Sequence, residues 1–204
     1  MVPMSVEEIA KAVDGRLVAG DGPAIEATET VTDSRQAGSG AVFVAIKGER
    51  VDGHGFVDKV ADQGAAAAIV DHEVACTTMP QIVVEDTVAA LGLLAKHNID
   101  RRRQLPGAFD LIGLTGSVGK TTTKDLLSAL LSTLGPTVAP IGSFNNEIGL
   151  PLTALRVNAD TRFFVAEMGA NHIGEIARLT RIAPPNTVIV LRVGVAHLGE
   201  FGSR

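Results

Sequence analysis

Four residues of this chain have the type and setting to do chemistry: Lys120, Thr121, Glu167 and His197. The first two close a run of small residues, Thr115-Gly116-Ser117-Val118-Gly119-Lys120-Thr121-Thr122, which follows the apolar stretch Leu111 to Leu114 and opens an amphipathic helical pattern. Small residues there let the N–H groups of Gly116 to Gly119 curl round phosphate oxygens, and a helix N-terminus adds the positive end of its dipole. A lysine at position 120 reaches β- and γ-phosphates, and the Thr121 hydroxyl binds Mg²⁺. The general spacing G-x-x-x-x-G-K-S/T asks for glycine at 114, where this chain has Leu114. The plain alternative is a glycine-rich turn with a chance Lys-Thr. A strand before, a helix after and no proline between favour a nucleoside triphosphate loop.

Glu167 ends the apolar run Phe163-Phe164-Val165-Ala166, and His197 follows the run from Thr187 to Val193. A carboxylate past the end of a strand beside a phosphate loop can hold Mg²⁺ or orient its water. A histidine is a less usual Mg²⁺ ligand, since the ion prefers oxygen. A second metal position and a hydrogen-bonded histidine at a sheet edge are therefore both open for His197. Asn145 and Asn146 can donate amide hydrogens to phosphate or sugar oxygens, or form a left-handed turn. Asp33-Ser34-Arg35 is by composition a surface turn, although a forked guanidinium suits a diphosphate and a serine adds a hydroxyl. Asp52 reads as a cap in a turn with His54, and Asn171-His172 as a cap before a helix starting at Ile173. Cys76 stands alone, so no intrachain disulfide forms, and nothing marks it as an activated nucleophile.

Elements that would position these groups alternate along the chain. In the first part Ser5 and Glu8 suggest a capping box, with the helix ended by Gly15. Strands are expected at Ala41–Ile46, Ala65–Val70 and Gln81–Val84, with helices over His54–Gln63 and from an Asp86 cap to about Asn98. Charge, Pro106 and Gly107 then interrupt the apolar pattern. A boundary there gives domains 1–105 and 106–204, with Arg101–Arg103 as solvated linker or, alternatively, a phosphate patch. The second part reads as strand Phe109–Leu114, helix to Leu134, strand Thr137–Ile141, a short helix over Leu152–Val157, strand Arg162–Met168, helix Ile173–Ile182 and strand Thr187–Val193. The expected class is α/β, with a small N-terminal α/β domain followed by a parallel-sheet phosphate-loop domain.

Bulk properties narrow the function. With 23 acidic against 18 basic residues, and with no Trp, no Tyr and seven Phe leaving few stacking platforms, the composition argues against a nucleic-acid binder. Apolar runs are too short to span a bilayer and no signal-peptide core opens the chain, so a soluble cytoplasmic protein is expected.

Four motifs go further. The phosphate loop, Asn145-Asn146-Glu147-Ile148-Gly149-Leu150-Pro151, Glu167-Met168-Gly169-Ala170-Asn171-His172 and Ala196-His197-Leu198-Gly199 together resemble the Mur ligase family. Thr32-Asp33-Ser34-Arg35, Gly40–Ala45 and Asp52-Gly53-His54 resemble that family's uridine-nucleotide-binding N-terminal domain. The form of the Glu167 motif is similar to the branch that joins D-alanyl-D-alanine to UDP-N-acetylmuramoyl-tripeptide with ATP and Mg²⁺. The resemblance implies Lys120 on the β/γ-phosphates, and Thr121, Glu167 and His197 at metal positions. It also implies Gly116–Thr122 on the nucleotide, and Ser34, Arg35, Asn145 and Asn146 on substrate. A monomer is expected. The family also carries a later lysine and a C-terminal domain, which would lie beyond Arg204. The chain then reads as an N-terminal part that makes no amide bond alone. The reading from another class is a phosphate-loop nucleotide-binding module without ligase activity. Two departures from the family pattern stand near His197: Leu191-Arg192-Val193-Gly194 for the usual Thr-Asn-Ile-Gly, and Gly199 with Glu200 one place after the usual acidic position.

Overall fold

The computed structural model describes residues 1–18, 20, 25–75, 78–192 and 194. The chain forms two compact units, Met1–His97 and Asn98–Arg204.

The first unit opens with helix α1, Val6–Ala12, whose Ser5 hydroxyl accepts the Glu8 N–H. The left-handed residue after the helix is Asp14 (φ 53°) rather than the expected Gly15, whose N–H returns to the Ala10 carbonyl. A five-stranded sheet follows in the order β1-β5-β4-β3-β2. Its strands are β1 (Arg16–Val18), β2 (Glu29–Val31), β3 (Ala41–Val44), β4 (Ala67–Val70) and β5 (Gln81–Val83). Neighbours are parallel except β1, which runs antiparallel to β5. All four residues of both β3 and β4 are buried, as central strands covered on both faces require. A 3₁₀ turn, Gly53–Phe56, runs into helix α2, Val57–Asp62, which packs Val57 and Val60 on Phe43 and Ala68.

Helix α3 spans Thr87–Gln104 without a break. Asp86 caps it, its Oδ1 accepting the N–H groups of Val88 and Ala89. Both the expected end near Asn98 and the expected linker are corrected here. Within the second unit Ile99 is fully buried, and Asn98 donates to the Ala154 and Val157 carbonyls at 3.0 and 2.9 Å. Arg102 is buried as well: its Nε donates to the Thr161 carbonyl, its Nη2 to the Ala108 carbonyl, and its guanidinium lies over Phe109. The compact units divide between His97 and Asn98, earlier than the Leu105/Pro106 boundary and inside the helix.

The second unit is a four-stranded parallel sheet in the order β7-β8-β6-β9. The strands are β6 (Asp110–Thr115), β7 (Thr137–Val138), β8 (Phe163–Glu167) and β9 (Thr187–Val190). They alternate with helices α4 (Lys120–Ser132), α5 (Gly149–Ala154) and α6 (Glu175–Ile182). β8 is buried throughout, and each large side chain such as Phe164 contributes on the order of 2 kcal/mol. Register sets Leu114 beside Glu167 and Thr115 beside Val190. Three strands thus release their chains at one carboxyl edge, where parallel sheets bind ligands.

Candidate nucleotide site

The phosphate loop leaves β6 at Thr115 and reaches α4 at Lys120. Gly116 has φ 149°, and a Cβ there would meet the Leu191 Cβ at 2.7 Å, so backbone freedom and close approach both demand glycine. Gly119 (φ 85°) supplies the left-handed residue that turns the chain into the helix. Lys120 Nζ donates back to the Gly116 carbonyl at 2.7 Å, which closes the loop around its own lysine. The Ser117 N–H, expected among the phosphate donors, is directed at the Arg192 carbonyl (3.0 Å), and Ser117 Oγ accepts from Gly194 N at 2.8 Å. The loop is therefore tied to the chain leaving β9. Val118 and Thr122 are exposed at its rim.

Thr121 and Glu167 come together across the sheet edge, with Thr121 Oγ1 3.5 Å from Glu167 Oε1. Asn145 Nδ2 donates to the same carboxylate oxygen at 2.8 Å, while its own carbonyl accepts the Gly169 N–H. Glu167 is 1% exposed, and its Oε2 is buried with no hydrogen-bond partner. An ionised carboxylate oxygen left so costs several kcal/mol unless a cation or donor meets it. A hard divalent cation fits this set: a hydroxyl, a buried carboxylate and neighbouring phosphate oxygens are the ligands Mg²⁺ takes.

Neither asparagine takes the left-handed conformation, since Asp14 is the only non-glycine with positive φ among the described residues. Asn146 Oδ1 instead accepts the N–H groups of Ile148 and Gly149 and caps the start of α5. A cavity of about 310 Å³ opens beside Lys120 and is lined by Asn145, Asn146, Glu147, Asn171 and Arg178 among others. Two of these lining residues, Arg178 and Glu147, pair at 2.7 Å. The expected cap at Asn171-His172 is reversed. Helix α6 starts at Glu175, whose Oε2 accepts the N–H groups of both residues, and these bonds lower its carboxyl pKa. His197, with Val193, Gly199 and Glu200, lies outside the described residues, as does Cys76.

Lys124 lies outside every motif of the sequence yet belongs to the site's surroundings. It lies one helical turn beyond Lys120 and is buried, its ammonium donating to the carbonyls of Pro140 (3.0 Å) and Gly142 (3.1 Å). A second lysine at i+4 on the loop's helix was the available signal.

In the first unit, Asp33 and Arg35 bind each other. Arg35 Nε and Nη2 donate to the Asp33 carboxylate at 2.9 and 2.6 Å. That side-chain bond, then the Arg35 N–H, brings the Asp33 pKa down to about 2. Arg35 stands 81% exposed and Ser34 is buried. In the same unit His54 is buried with Nδ1 2.6 Å from Asp52 Oδ1, while its Nε2 accepts the Asp71 N–H. His54, Asp71 and His72 cluster closely enough to suggest a cation site. The lone pair a metal would need on His54 already takes the Asp71 N–H, so the network holds its turns instead.

Comparisons with known proteins agree across both units. Residues 27–99 match the Mur ligase family, catalytic domain, and residues 114–204 the Mur ligase middle domain. The UDP-N-acetylmuramoyl-tripeptide–D-alanyl-D-alanine ligase of Mycobacterium tuberculosis is 42% identical, over the whole of this chain and 44% of its own length. Its Escherichia coli counterpart is 37% identical over the whole chain and 43% of its length. The chain thus spans less than half the length of these curated relatives. Among solved structures, MurF from Acinetobacter baumannii superposes with a TM-score of 0.87 at 40% identity, covering 98% of this chain and 43% of that one. MurF ligase from Thermotoga maritima in complex with ADP gives 0.75 at 38%, covering 86% and 40%. With both domain matches in order along one chain and this likeness in sequence and fold, the chain belongs to the Mur ligase family.

Proposed function

We propose that the chain supplies the nucleotide and uridine-substrate modules of a cytoplasmic, monomeric ATP-dependent ligase. That ligase joins D-alanyl-D-alanine to UDP-N-acetylmuramoyl-tripeptide in peptidoglycan precursor synthesis. The observation that carries this reading is the Glu167 carboxylate, buried at the end of β8 beside Thr121 with one oxygen unpartnered. Relatives named for this reaction, and the relative solved with ADP, support it.

The chemistry requires activation, because a carboxylate is a poor acyl donor. The tripeptide's terminal carboxylate attacks the γ-phosphorus of ATP, giving an acyl phosphate and ADP. The dipeptide amine then adds to the acyl carbon, and the tetrahedral intermediate expels phosphate as the amine proton leaves. Phosphoryl transfer of this kind is catalysed mainly by positioning and charge neutralisation. Lys120 would turn from the Gly116 carbonyl to the β/γ-phosphate oxygens, and the remaining loop amides would hold the phosphates. Thr121 and Glu167 would hold Mg²⁺, which neutralises phosphate charge when bound. His197 is assigned a second metal position by the family resemblance. Asn145 spends a side-chain N–H on Glu167 through its 2.8 Å bond, whereas Asn146 caps α5 with its oxygen, so the Asn146 amide hydrogens are the ones that would donate to substrate. Ser34 and Arg35 in domain 1–105 would serve the UDP end, Arg35 by exchanging Asp33 for a phosphate. Residues 106–204 would carry ATP.

A ligation assay on the protein carrying this chain tests the proposal. UDP-muramoyl-pentapeptide and phosphate should form only when ATP, tripeptide and dipeptide are all present. ATP hydrolysis indifferent to both peptides would replace this reading with a nucleotide-binding module.

A further inference from the structure

Lys124 contributes nothing to the surface and does not face the cavity beside Lys120. A buried ammonium needs partners, and this one donates to the Pro140 and Gly142 carbonyls and lies 2.7 Å from Asp125 Oδ1 as an ion pair. The Asp125 side chain is largely exposed, so the pair's negative member keeps its water while the positive one is enclosed. The two carbonyls belong to the segment leaving β7, five and three residues before Asn145. Asn145 in turn fixes Glu167 from Nδ2 and holds Gly169 through its carbonyl. A continuous set of bonds therefore runs from helix α4 through the 140–142 segment to the one buried carboxylate with an unpartnered oxygen among the described residues. Lys120 and Lys124 divide the work on one helix: the first bonds the Gly116 carbonyl of the loop, the second the carbonyls of Pro140 and Gly142.

We propose that Lys124 is a positioning residue for the divalent-cation site. It pins the 140–142 segment to α4 and thereby sets Asn145 and the Glu167 carboxylate in the orientation that receives the nucleotide's cation. The role rests on the nucleotide reading of the loop, and its test is built to separate the two.

The test is calorimetric titration of the chain with ADP, with and without Mg²⁺, alongside circular dichroism as a check of fold. The readout is the ratio of Kd without Mg²⁺ to Kd with it, which a simple loss of folded protein does not move. Lys124→Met keeps the stem and removes the donors, and should lower that ratio by about 10-fold, as losses behind metal ligands do. Asn145→Ala should lower it similarly. The double variant should lose no more than the larger single loss, the result for residues acting in series. An unaltered ratio in Lys124→Met, or losses that multiply in the double variant, overturns the proposal. Should Lys124→Met not fold, Lys124→Arg carries the test. Its bulkier fork reaches the same carbonyls only by displacing them, so the ratio should fall part of the way, and an unchanged ratio overturns the proposal. Lys120→Ala makes the separation. If that variant loses ADP binding, the nucleotide site stands whatever the Lys124 variants do. If it binds ADP normally, the nucleotide reading falls and the positioning role with it.

Discussion

Arg35 is exposed but not idle: it is chelated by the carboxylate two residues before it. The Asp33 carboxyl is held down to about 2 in the folded chain, below its ordinary 3.8. A group whose folded pKa is depressed contributes stability above its unfolded pKa and loses it as pH falls through the folded value. The Asp33–Arg35 contribution should therefore be whole above about pH 4 and gone near pH 2. Arg35→Ala should raise the Asp33 pKa only part of the way to the ordinary value, because the backbone N–H at position 35 remains a donor. Carboxyl titration by NMR in both proteins checks this, and an unmoved Asp33 would mean that the pair does not form. On the proposed function, a phosphate competes with Asp33 for the same fork. Arg35→Ala should then weaken UDP-substrate binding on the order of tenfold, with ADP affinity unaffected.

Elements were legible wherever a signal was local. The phosphate loop, its helix and the strands with continuous apolar runs could be read because small residues, a lysine and apolar blocks sit next to one another in sequence. Strands β1 and β2 could not, being three residues long and each carrying an exposed charged residue at its start. Nor could the bond between Asn145 and Glu167, because it depends on where β8 lies in a strand order of 7-8-6-9 that periodicity does not encode. The Arg101–Arg103 run misled for a related reason: its charge suggests solvent, yet the α3 helical repeat turns Arg102 inward to two carbonyls and an aromatic face. Arg102→Met should accordingly destabilise the chain by about 2–4 kcal/mol through the two stranded acceptors, measured by urea denaturation. A cost below 0.5 kcal/mol would show that water replaces the guanidinium. In the phosphate loop, Gly116→Ala adds a methyl against Leu191 at a φ of 149°, an expected cost of about 1–3 kcal/mol with loss of ADP binding. Normal ADP affinity in that variant would show that the loop need not keep this shape to bind.

At the scale of the whole molecule there are two sheets of different order, and on the proposed function each set of binding groups would lie within one compact unit. Hydrogen exchange offers a direct readout of that division. ADP with Mg²⁺ should slow exchange at Gly116–Thr122 and Glu167, and leave the amides of Asp33–Arg35 unchanged. Slowing spread evenly over both units would contradict separate binding modules.

Helix α3 runs unbroken through the division between those units, and this governs how the chain meets a protease. Trypsin must draw several residues into an extended conformation before it cleaves, so it reads backbone accessibility before it reads side chains. Three consecutive arginines would make Arg101–Arg103 the obvious cut site if the segment were a linker. Held in helix, with Arg102 buried, it should survive brief digestion. Exposed non-helical chain at Lys47 and Arg50 should be nicked first. Mass spectrometry of the first fragments reads the outcome. The chain would therefore resist being separated into its two halves at the very place its charge invites the cut.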